Sequence, residues 1–192
     1  MNISLAYAEG YFVKLVQEIN AIPRDTIVEI AELLLSAQLS GKSVFIMGNG
    51  GSAATASHMA CDFAKNTRMP GRPRLKVISL ADNLAMLTAY ANDEGYENVF
   101  SEPLRSLAEA GDIVIAISGS GNSPNVIKGL QTAKEIGLTT VGLTGFQGGK
   151  LKDFADVCLI VNSDSIERIE DAHLVIDHII TGLLRNANRD GR

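Results

Sequence analysis

The chain is acidic and has the composition of an ordinary globular protein. It contains 192 residues, with a formal net charge of −5 and 46% hydrophobic residues. That length suffices for one domain with a full core, which we expect to span residues 1–192. The negative charge disfavours a nucleic-acid partner, and no apolar run approaches the ~18 residues that cross a bilayer, so no membrane partner is expected. The 2 cysteines have no paired spacing, and no signal peptide is evident, which predicts a cytoplasmic location.

The predicted elements begin with two helices and then alternate between strands and helices. Periodic apolar residues predict helices over 3–20 and 24–39, within an N-terminal segment of about 1–40. In the sheet core of about 43–161, the predicted strands are 43–48, 75–80, 112–118, 139–144 and 156–161. The predicted helices are 52–65, 83–92, 96–109 and 123–137, with a C-terminal helix over about 166–187. This alternation predicts an α/β fold with a parallel sheet covered on both faces, which binds ligands beyond the carboxyl ends of its strands.

A glycine-rich turn follows the first predicted strand. It consists of Asn49, Gly50, Gly51 and Ser52, and the next helix begins there. Glycines let the backbone approach a ligand closely, and a helix start presents unpaired N–H groups to an anion. Taken alone, the turn is consistent either with an anion site or with a tight turn that binds nothing.

A serine-rich turn joins the third predicted strand to its helix. Ser118, Ser120 and Ser123 supply three hydroxyls, and Gly119 lies between the first two. Hydroxyls and N–H groups at a helix start suit a phosphate without a lysine. Neither turn has the P-loop pattern or a full dinucleotide fingerprint. The two turns together therefore favour a sugar phosphate over a nucleotide.

Ionisable residues recur on two of the predicted helices. His58 and Asp62 are four residues apart and share a helix face, so they could hold a metal, act as acid and base, or form only a surface ion pair. The last helix carries four more such residues: Glu170, His173, Asp177 and His178. By spacing alone, the first three of these lie closest together on the helix surface. The alternative is that all four belong to a solvated polar face.

Five segments fall in the order and spacing of one known family: "GNGGSAATASH", "NDEGYENVF", "AISGSGNSPNV", "LTGFQGGKL" and "RIEDAHLVIDH". In these segments the chain resembles the phosphoheptose isomerases (sedoheptulose 7-phosphate isomerases), a branch of the SIS domain proteins. The resemblance implies a three-layer αβα sandwich with a five-stranded parallel sheet, flavodoxin-like or Rossmann-like, with N-terminal helices added. It also implies a homotetramer with active sites at subunit interfaces.

The resemblance further implies an activity and a set of site residues. The activity is aldose–ketose isomerisation of sedoheptulose 7-phosphate to D-glycero-D-manno-heptose 7-phosphate through an enediol(ate). Asp62 would be the catalytic base and His178 its acid/base partner. One Zn²⁺ per subunit would be held by His58, Asp62, Glu170 and His178; here the alignment with the family takes precedence over the spacing argument. The implied substrate-binding residues are Asn49, Gly50, Gly51, Ser52, Asn92, Asp93, Ser118, Gly119, Ser120, Ser123 and Glu170.

Several positions depart from the family pattern. Asp62 stands where the family has glutamate, Glu170 where it has glutamine, and Gly119 where it has threonine. Ile166 and Glu167 replace a common threonine and aspartate. These departures bear on the substrate more than on the fold or the phosphate site.

Three alternatives to this isomerase remain open at the sequence level. One is a non-catalytic tetrameric adaptor, resembling the branch that binds the bacterial replication initiator. That branch lacks the final histidine, so His178 favours an enzyme. Another is a sugar-phosphate-binding regulatory domain, although no stretch resembles the DNA-binding module that usually accompanies one. The third is an isomerase for a different sugar phosphate.

Overall fold

A sheet of five parallel strands forms the centre of the molecule. The computed structural model describes residues 4–190. The strands are β1 (Ser43–Gly48), β2 (Lys76–Ser79), β3 (Ile113–Ser118), β4 (Thr139–Gly145) and β5 (Val157–Val161). Their order across the sheet is β2-β1-β3-β4-β5, so the direction of winding changes between β1 and β3. Gly48 pairs with Ile117, so these two strands end at the same level and their following turns lie side by side.

Eight α-helices and one 3₁₀ turn are found among residues 4–190. The helices are α1 (Leu5–Ala21), α2 (Arg24–Ser40), α3 (Gly51–Lys65), α4 (Leu84–Asp93), α5 (Ser101–Leu107), α6 (Pro124–Ile136), α7 (Leu151–Phe154) and α8 (Ile166–Asp190). The 3₁₀ turn is Tyr96–Asn98. Residue 3, where the first helix was predicted to begin, lies outside the described residues. None of the described helices has the length and apolar character needed to cross a membrane.

The helix predicted over 96–109 differs from the structure. The segment contains a 3₁₀ turn and then the separate helix α5. Pro103 explains the break, because within a continuous helix its ring would clash with the carbonyl of Val99. In α5, Pro103 lies in the first turn, where its missing N–H costs nothing.

The sheet separates two hydrophobic cores. Alternate residues of each strand point to opposite faces, so Ile46 packs with α2, α3 and α8, whereas Met47 packs with α5 and α6. On the first face, α8 is anchored by an apolar stripe that is almost fully buried: Ile169, Ala172, Ile176, Ile180 and Leu184. This anchoring turns the neighbouring polar positions of α8 towards α3, the helix with which it shares the same side of the sheet.

His173 is a buried polar residue of α8, and it lies close to the sheet. Its Nε2 atom lies 3.2 Å from the backbone oxygen of Thr144, so the neutral ring donates a hydrogen bond there. Burial lowers the pKa of His173 to about 4. The ring is therefore neutral in the folded protein at physiological pH.

This buried ring should make stability depend on pH. Below about pH 6.5 this histidine binds a proton in the unfolded chain but not in the folded chain. The free energy of unfolding therefore falls as the pH drops towards 4. Between pH 7 and pH 4 we expect the free energy of unfolding of wild type to fall by about 3 kcal/mol more than that of His173→Gln. Glutamine keeps a hydrogen-bond donor but cannot titrate. Urea denaturation of both proteins across this range measures the difference. The Asp177 carboxyl, whose raised pKa acts in the opposite direction, is present in both proteins and cancels. A constant difference at all pH values would contradict the prediction.

Candidate active site

The glycine-rich turn and the serine-rich turn lie side by side at the carboxyl edge of β1 and β3. α3 begins at Gly51 immediately after the first turn, and α6 begins at Pro124 immediately after the second. Both helix starts therefore direct N–H groups and the positive ends of their dipoles to this edge. We call this arrangement the anion cradle; its members are the two turns, residues 49–52 and 118–123.

The serine-rich turn of the anion cradle is tightly built. The hydroxyls of Ser118 and Ser123 lie 3.1 Å apart. Ser120 is exposed, and its oxygen accepts a hydrogen bond from the N–H of Asn122 at 3.2 Å. Gly121 has a φ of +66°, and a Cβ there would lie 2.1 Å from the backbone oxygen of Gly148. Only glycine fits at this position. Ser118 is buried, so Ser120 is the most exposed serine of this turn.

Ile166 occupies the space beside Gly119. A Cβ at Gly119 would lie 2.3 Å from the Cδ1 atom of Ile166, which begins α8. The two departures from the family pattern are therefore in contact. The Cδ1 methyl group of Ile166 therefore occupies the position that a side chain at residue 119 would take, beside the anion cradle.

Four ionisable side chains converge farther along α3 and α8. His58 and Asp62 come from α3, whereas Asp177 and His178 come from α8. One ligand atom from each of the four lies within 4.8 Å of those from the other three. The His58 and His178 Nε2 atoms are 3.2 Å apart, and the Oδ2 atom of Asp62 is 3.6 Å from the first and 3.9 Å from the second. We call these four residues the His/Asp cluster.

The cluster combines a buried carboxyl with exposed imidazoles. The side chain of Asp177 is 0% exposed and its Oδ2 lies 3.9 Å from the His58 Nε2. Neither Asp177 oxygen has a partner in full hydrogen-bond geometry among the described residues; the nearby Thr181 hydroxyl is the one group that lowers its pKa. Burial, and then the negative charge of Asp62, raise the pKa of Asp177 to about 7. A buried carboxyl without a hydrogen-bond partner is rare in proteins, and a bound cation is one of its explanations.

The donor set of the His/Asp cluster fits zinc. Two imidazole nitrogens and two carboxylates are ligands that Zn²⁺ accepts. Tetrahedral ligands with bonds of about 2.0–2.1 Å lie about 3.3 Å from one another. Four of the six separations in the cluster, 3.2–3.9 Å, are close to that value, and the other two are within 4.8 Å.

Glu170 and His173, two of the residues nominated in the sequence, lie outside the cluster. A Cβ at Gly51 would lie 2.5 Å from the carboxylate oxygens of Glu170, so that carboxylate is at the start of α3, next to the anion cradle. Glu170 precedes His178 by about 12 Å along the helix axis. His173 is buried and hydrogen-bonded to Thr144. Asp177 lies in the cluster; helical spacing had nominated it, whereas the family alignment did not.

The segment containing Asn92 and Asp93 reaches the anion cradle through a different residue. These two residues are exposed, and the Nδ2 atom of Asn92 donates to the Oδ1 atom of Asp93 at 2.7 Å. The contact with the cradle is made by Tyr96, whose hydroxyl donates to the Oδ1 atom of Asn49 at 2.9 Å. Tyr96 belongs to the "NDEGYENVF" segment, but its spacing gave no sign of this contact.

Comparisons with known proteins agree with this architecture. The family model for the SIS domain matches residues 7–145. A phosphoheptose isomerase of Trichlorobacter lovleyi is 41% identical over 170 residues, which cover 88% of this chain and 86% of the relative. The solved structure of phosphoheptose isomerase GmhA from Neisseria gonorrhoeae has a TM-score of 0.87 and 32% identity, covering 95% of this chain and 97% of that one. For the phosphoheptose isomerase from Francisella tularensis the TM-score is 0.89, with 29% identity and coverages of 96% and 100%. The chain therefore belongs to the SIS domain family and, within it, to the phosphoheptose isomerases.

Proposed function

We propose that this protein is an aldose–ketose isomerase that converts sedoheptulose 7-phosphate to D-glycero-D-manno-heptose 7-phosphate. The observation that carries the proposal is the convergence of four ionisable side chains within 4.8 Å, on the same two helices that begin next to the anion cradle. Along α3, His58 lies about 10 Å beyond Gly51. An extended seven-carbon chain with its phosphate in the cradle would reach that far. Turnover of sedoheptulose 7-phosphate by the purified protein is the direct test.

The chemistry requires one proton to move between carbons and another to move between oxygens. In our assignment the Asp62 carboxylate removes a proton from C1 of the ketose and returns it to C2. His178 protonates O2 as the enediol(ate) forms and accepts the O1 proton as the aldehyde forms. Each proton is conserved, so the reaction needs no oxidant or reductant.

The surroundings of Asp62 suit this role. Its side chain is 14% exposed, and its Oδ1 atom accepts a hydrogen bond from the Nδ2 atom of Asn66 at 2.8 Å. That bond fixes the carboxylate so that Oδ2 faces the two imidazoles. His178 is about half exposed, which leaves its ring accessible to an open-chain sugar.

We further propose that the His/Asp cluster holds one Zn²⁺ per subunit. His58, Asp62, Asp177 and His178 would be its ligands. Because a nitrogen or oxygen bound to zinc uses its lone pair on the metal, the proton transfers assigned above to Asp62 and His178 are those of the metal-free cluster. A bound Zn²⁺ would supply Lewis-acid polarisation of the substrate carbonyl. Glu170, which the family alignment placed among the ligands, is assigned instead to the substrate because its carboxylate lies next to Gly51.

Removing a cradle hydroxyl should weaken phosphate binding. Ser120 is exposed, and its hydroxyl oxygen accepts the N–H of Asn122. We expect Ser120→Ala to raise the Kd for inorganic phosphate about 3- to 10-fold, the net value of one typical hydrogen bond. Isothermal titration calorimetry measures this. Ser106→Ala, on α5 and exposed, is the control. Equal affinities of wild type and Ser120→Ala would place the phosphate elsewhere.

We also propose a homotetramer, on the basis of the outer face of α1. None of the residues of α1 is buried, although four large hydrophobic ones are exposed on one face of the helix: Leu5, Phe12, Val13 and Val16. An apolar face of this kind is typical of a surface covered by another copy of the chain.

The tetramer has a simple test. The chain mass is 20.5 kDa, so light scattering at micromolar concentration should give about four times that value. Phe12→Glu with Val16→Glu should reduce the mass, because two charges would be buried in the interface. A mass of a single chain for the wild-type protein would contradict the tetramer.

We also propose that this protein is located in the cytoplasm. Both cysteines, Cys61 and Cys158, are free, which supports a reducing compartment.

The alternative of a non-catalytic adaptor would not require a buried carboxyl and two imidazoles to converge. Binding of the sugar phosphate without any turnover would favour that adaptor instead.

A further inference from the structure

Two asparagines join the first turn of the anion cradle to α6, the helix that follows the second turn. The Nδ2 atom of Asn49 donates to the Oδ1 atom of Asn125 at 2.9 Å, and the Nδ2 atom of Asn125 donates back to the Oδ1 atom of Asn49 at 2.9 Å. Asn49 belongs to the turn after β1, and Asn125 to the first turn of α6. The reciprocal pair therefore spans the gap at which the winding of the sheet changes direction.

The orientation of this amide pair is fixed at both ends. Asn125 is 2% exposed, and its Oδ1 atom also accepts the N–H of Val126 at 3.0 Å. This backbone bond defines which side of the Asn125 amide is the acceptor. At the other end, the hydroxyl of Tyr96 donates to the Oδ1 atom of Asn49 at 2.9 Å. All of these bonds are mutually consistent, and Tyr96 is the outermost member.

Tyr96 adds little to the core. It is 51% exposed, and the 3₁₀ turn that carries it follows Gly95, whose φ of +95° is one that glycine adopts without strain. Its ring is therefore not held mainly by packing, and its defined interaction is the hydroxyl bond to Asn49. Removing that hydroxyl should leave the fold intact and take away one of the hydrogen bonds that hold the Asn49 side chain in place.

We propose that Tyr96 is a positioning residue for ligand binding, which acts through Asn49 and Asn125 to hold the two turns of the anion cradle together. This inference rests on the proposed function, because the cradle matters only if it binds the phosphate of a substrate. Preorganised donors bind an anion better than mobile ones. The cradle contacts a part of the substrate that does not react, so its loosening weakens ground state and transition state equally and raises KM without lowering kcat.

The test combines Tyr96→Phe with a substitution of Asn49, the residue to which the Tyr96 hydroxyl donates. We expect Tyr96→Phe to raise both the Kd for inorganic phosphate and the KM for sedoheptulose 7-phosphate about 3- to 10-fold, with kcat within about twofold of wild type. In the background of Asn49→Ala, Tyr96→Phe should change the phosphate Kd by less than about 1.5-fold, because the residue through which it acts is gone. Tyr90→Phe removes a phenol hydroxyl that has no hydrogen-bond partner among the described residues, and it should behave as wild type.

The outcomes separate the proposal from its rivals. An unchanged phosphate Kd in Tyr96→Phe would overturn it. An equal effect of Tyr96→Phe with and without Asn49 would also overturn it, because Tyr96 would then act on the ligand directly. A loss of kcat alone would place Tyr96 in the chemistry rather than in positioning. If the wild-type protein binds phosphate but turns over no heptose phosphate, the proposed function fails, and the phosphate Kd values still decide the role of Tyr96.

Discussion

Asp62→Asn should lower kcat for sedoheptulose 7-phosphate by about 10²- to 10⁴-fold, the usual value of a positioned general base. Asparagine has the same shape and can still bond to Asn66, the partner of the Asp62 Oδ1 atom, but it cannot accept a proton from carbon. The anion cradle lies near the start of α3, away from Asp62, so the Kd for inorganic phosphate should stay within about twofold of wild type. Steady-state kinetics and calorimetry measure the two quantities.

Two companion variants sharpen this prediction. Asp153→Asn, on the exposed surface of α7, should leave kcat unchanged. Asp62→Glu restores the family residue and keeps a carboxylate, so it should retain activity within about tenfold of wild type. If Asp62→Asn were as active as wild type, the base would be another group, and Asp177, the other carboxyl of the His/Asp cluster, would be the first to test.

Asp177→Asn should abolish zinc binding by the purified protein. Elemental analysis of wild type, purified without chelators, should give about one zinc per chain. Asparagine keeps the volume of Asp177 but removes the buried carboxyl group of the cluster. We expect zinc affinity to fall by more than the ~10- to 100-fold caused by losing a group that only supports a ligand. His58→Ala should have a similar effect, since it removes an imidazole ligand.

Glu170→Gln is the decisive control for this site. Its carboxylate lies next to Gly51 rather than among the four converging groups, so zinc content should remain that of wild type. Loss of zinc in Glu170→Gln, with zinc retained in Asp177→Asn, would support the ligand set that the alignment implies. Absence of zinc from wild type, even after dialysis against the metal, would leave the cluster as an acid–base group alone.

The sheet and the position of the site could be predicted because they follow from local patterns. The apolar run 43–48 matches β1, and 112–118 matches β3 to within one residue. Such runs indicate buried parallel strands, and parallel strands place their following turns at one edge. The serine-rich turn was therefore located correctly at the carboxyl edge without any knowledge of contacts. The prediction of one helix over 96–109 is wrong because the ring of Pro103 prevents a continuous helix through the preceding turn.

The membership of the His/Asp cluster depends on information that one sequence does not contain. Glu170 and Asp177 lie within about 20° on the same face of α8 but two turns apart along it. Which of them contacts His58 and Asp62 depends on the position along its axis at which α8 packs against α3. That position is set by the packing of the stripe that includes Ile169 and Ile176 against the sheet. The contact of Tyr96 with Asn49 likewise depends on how one loop folds back across the sheet edge.

The central claim is tested most directly by nuclear magnetic resonance of the purified protein with sedoheptulose 7-phosphate in D₂O. The account predicts that the ketose signals decline as those of D-glycero-D-manno-heptose 7-phosphate appear, with deuterium at C2 of the product because the transferred proton resides on a carboxylate that exchanges with solvent. It also predicts that Asp62→Asn gives neither product nor deuterium in the same time. Saturable binding of the sugar phosphate with no product and no deuterium in the wild-type reaction would contradict the isomerase.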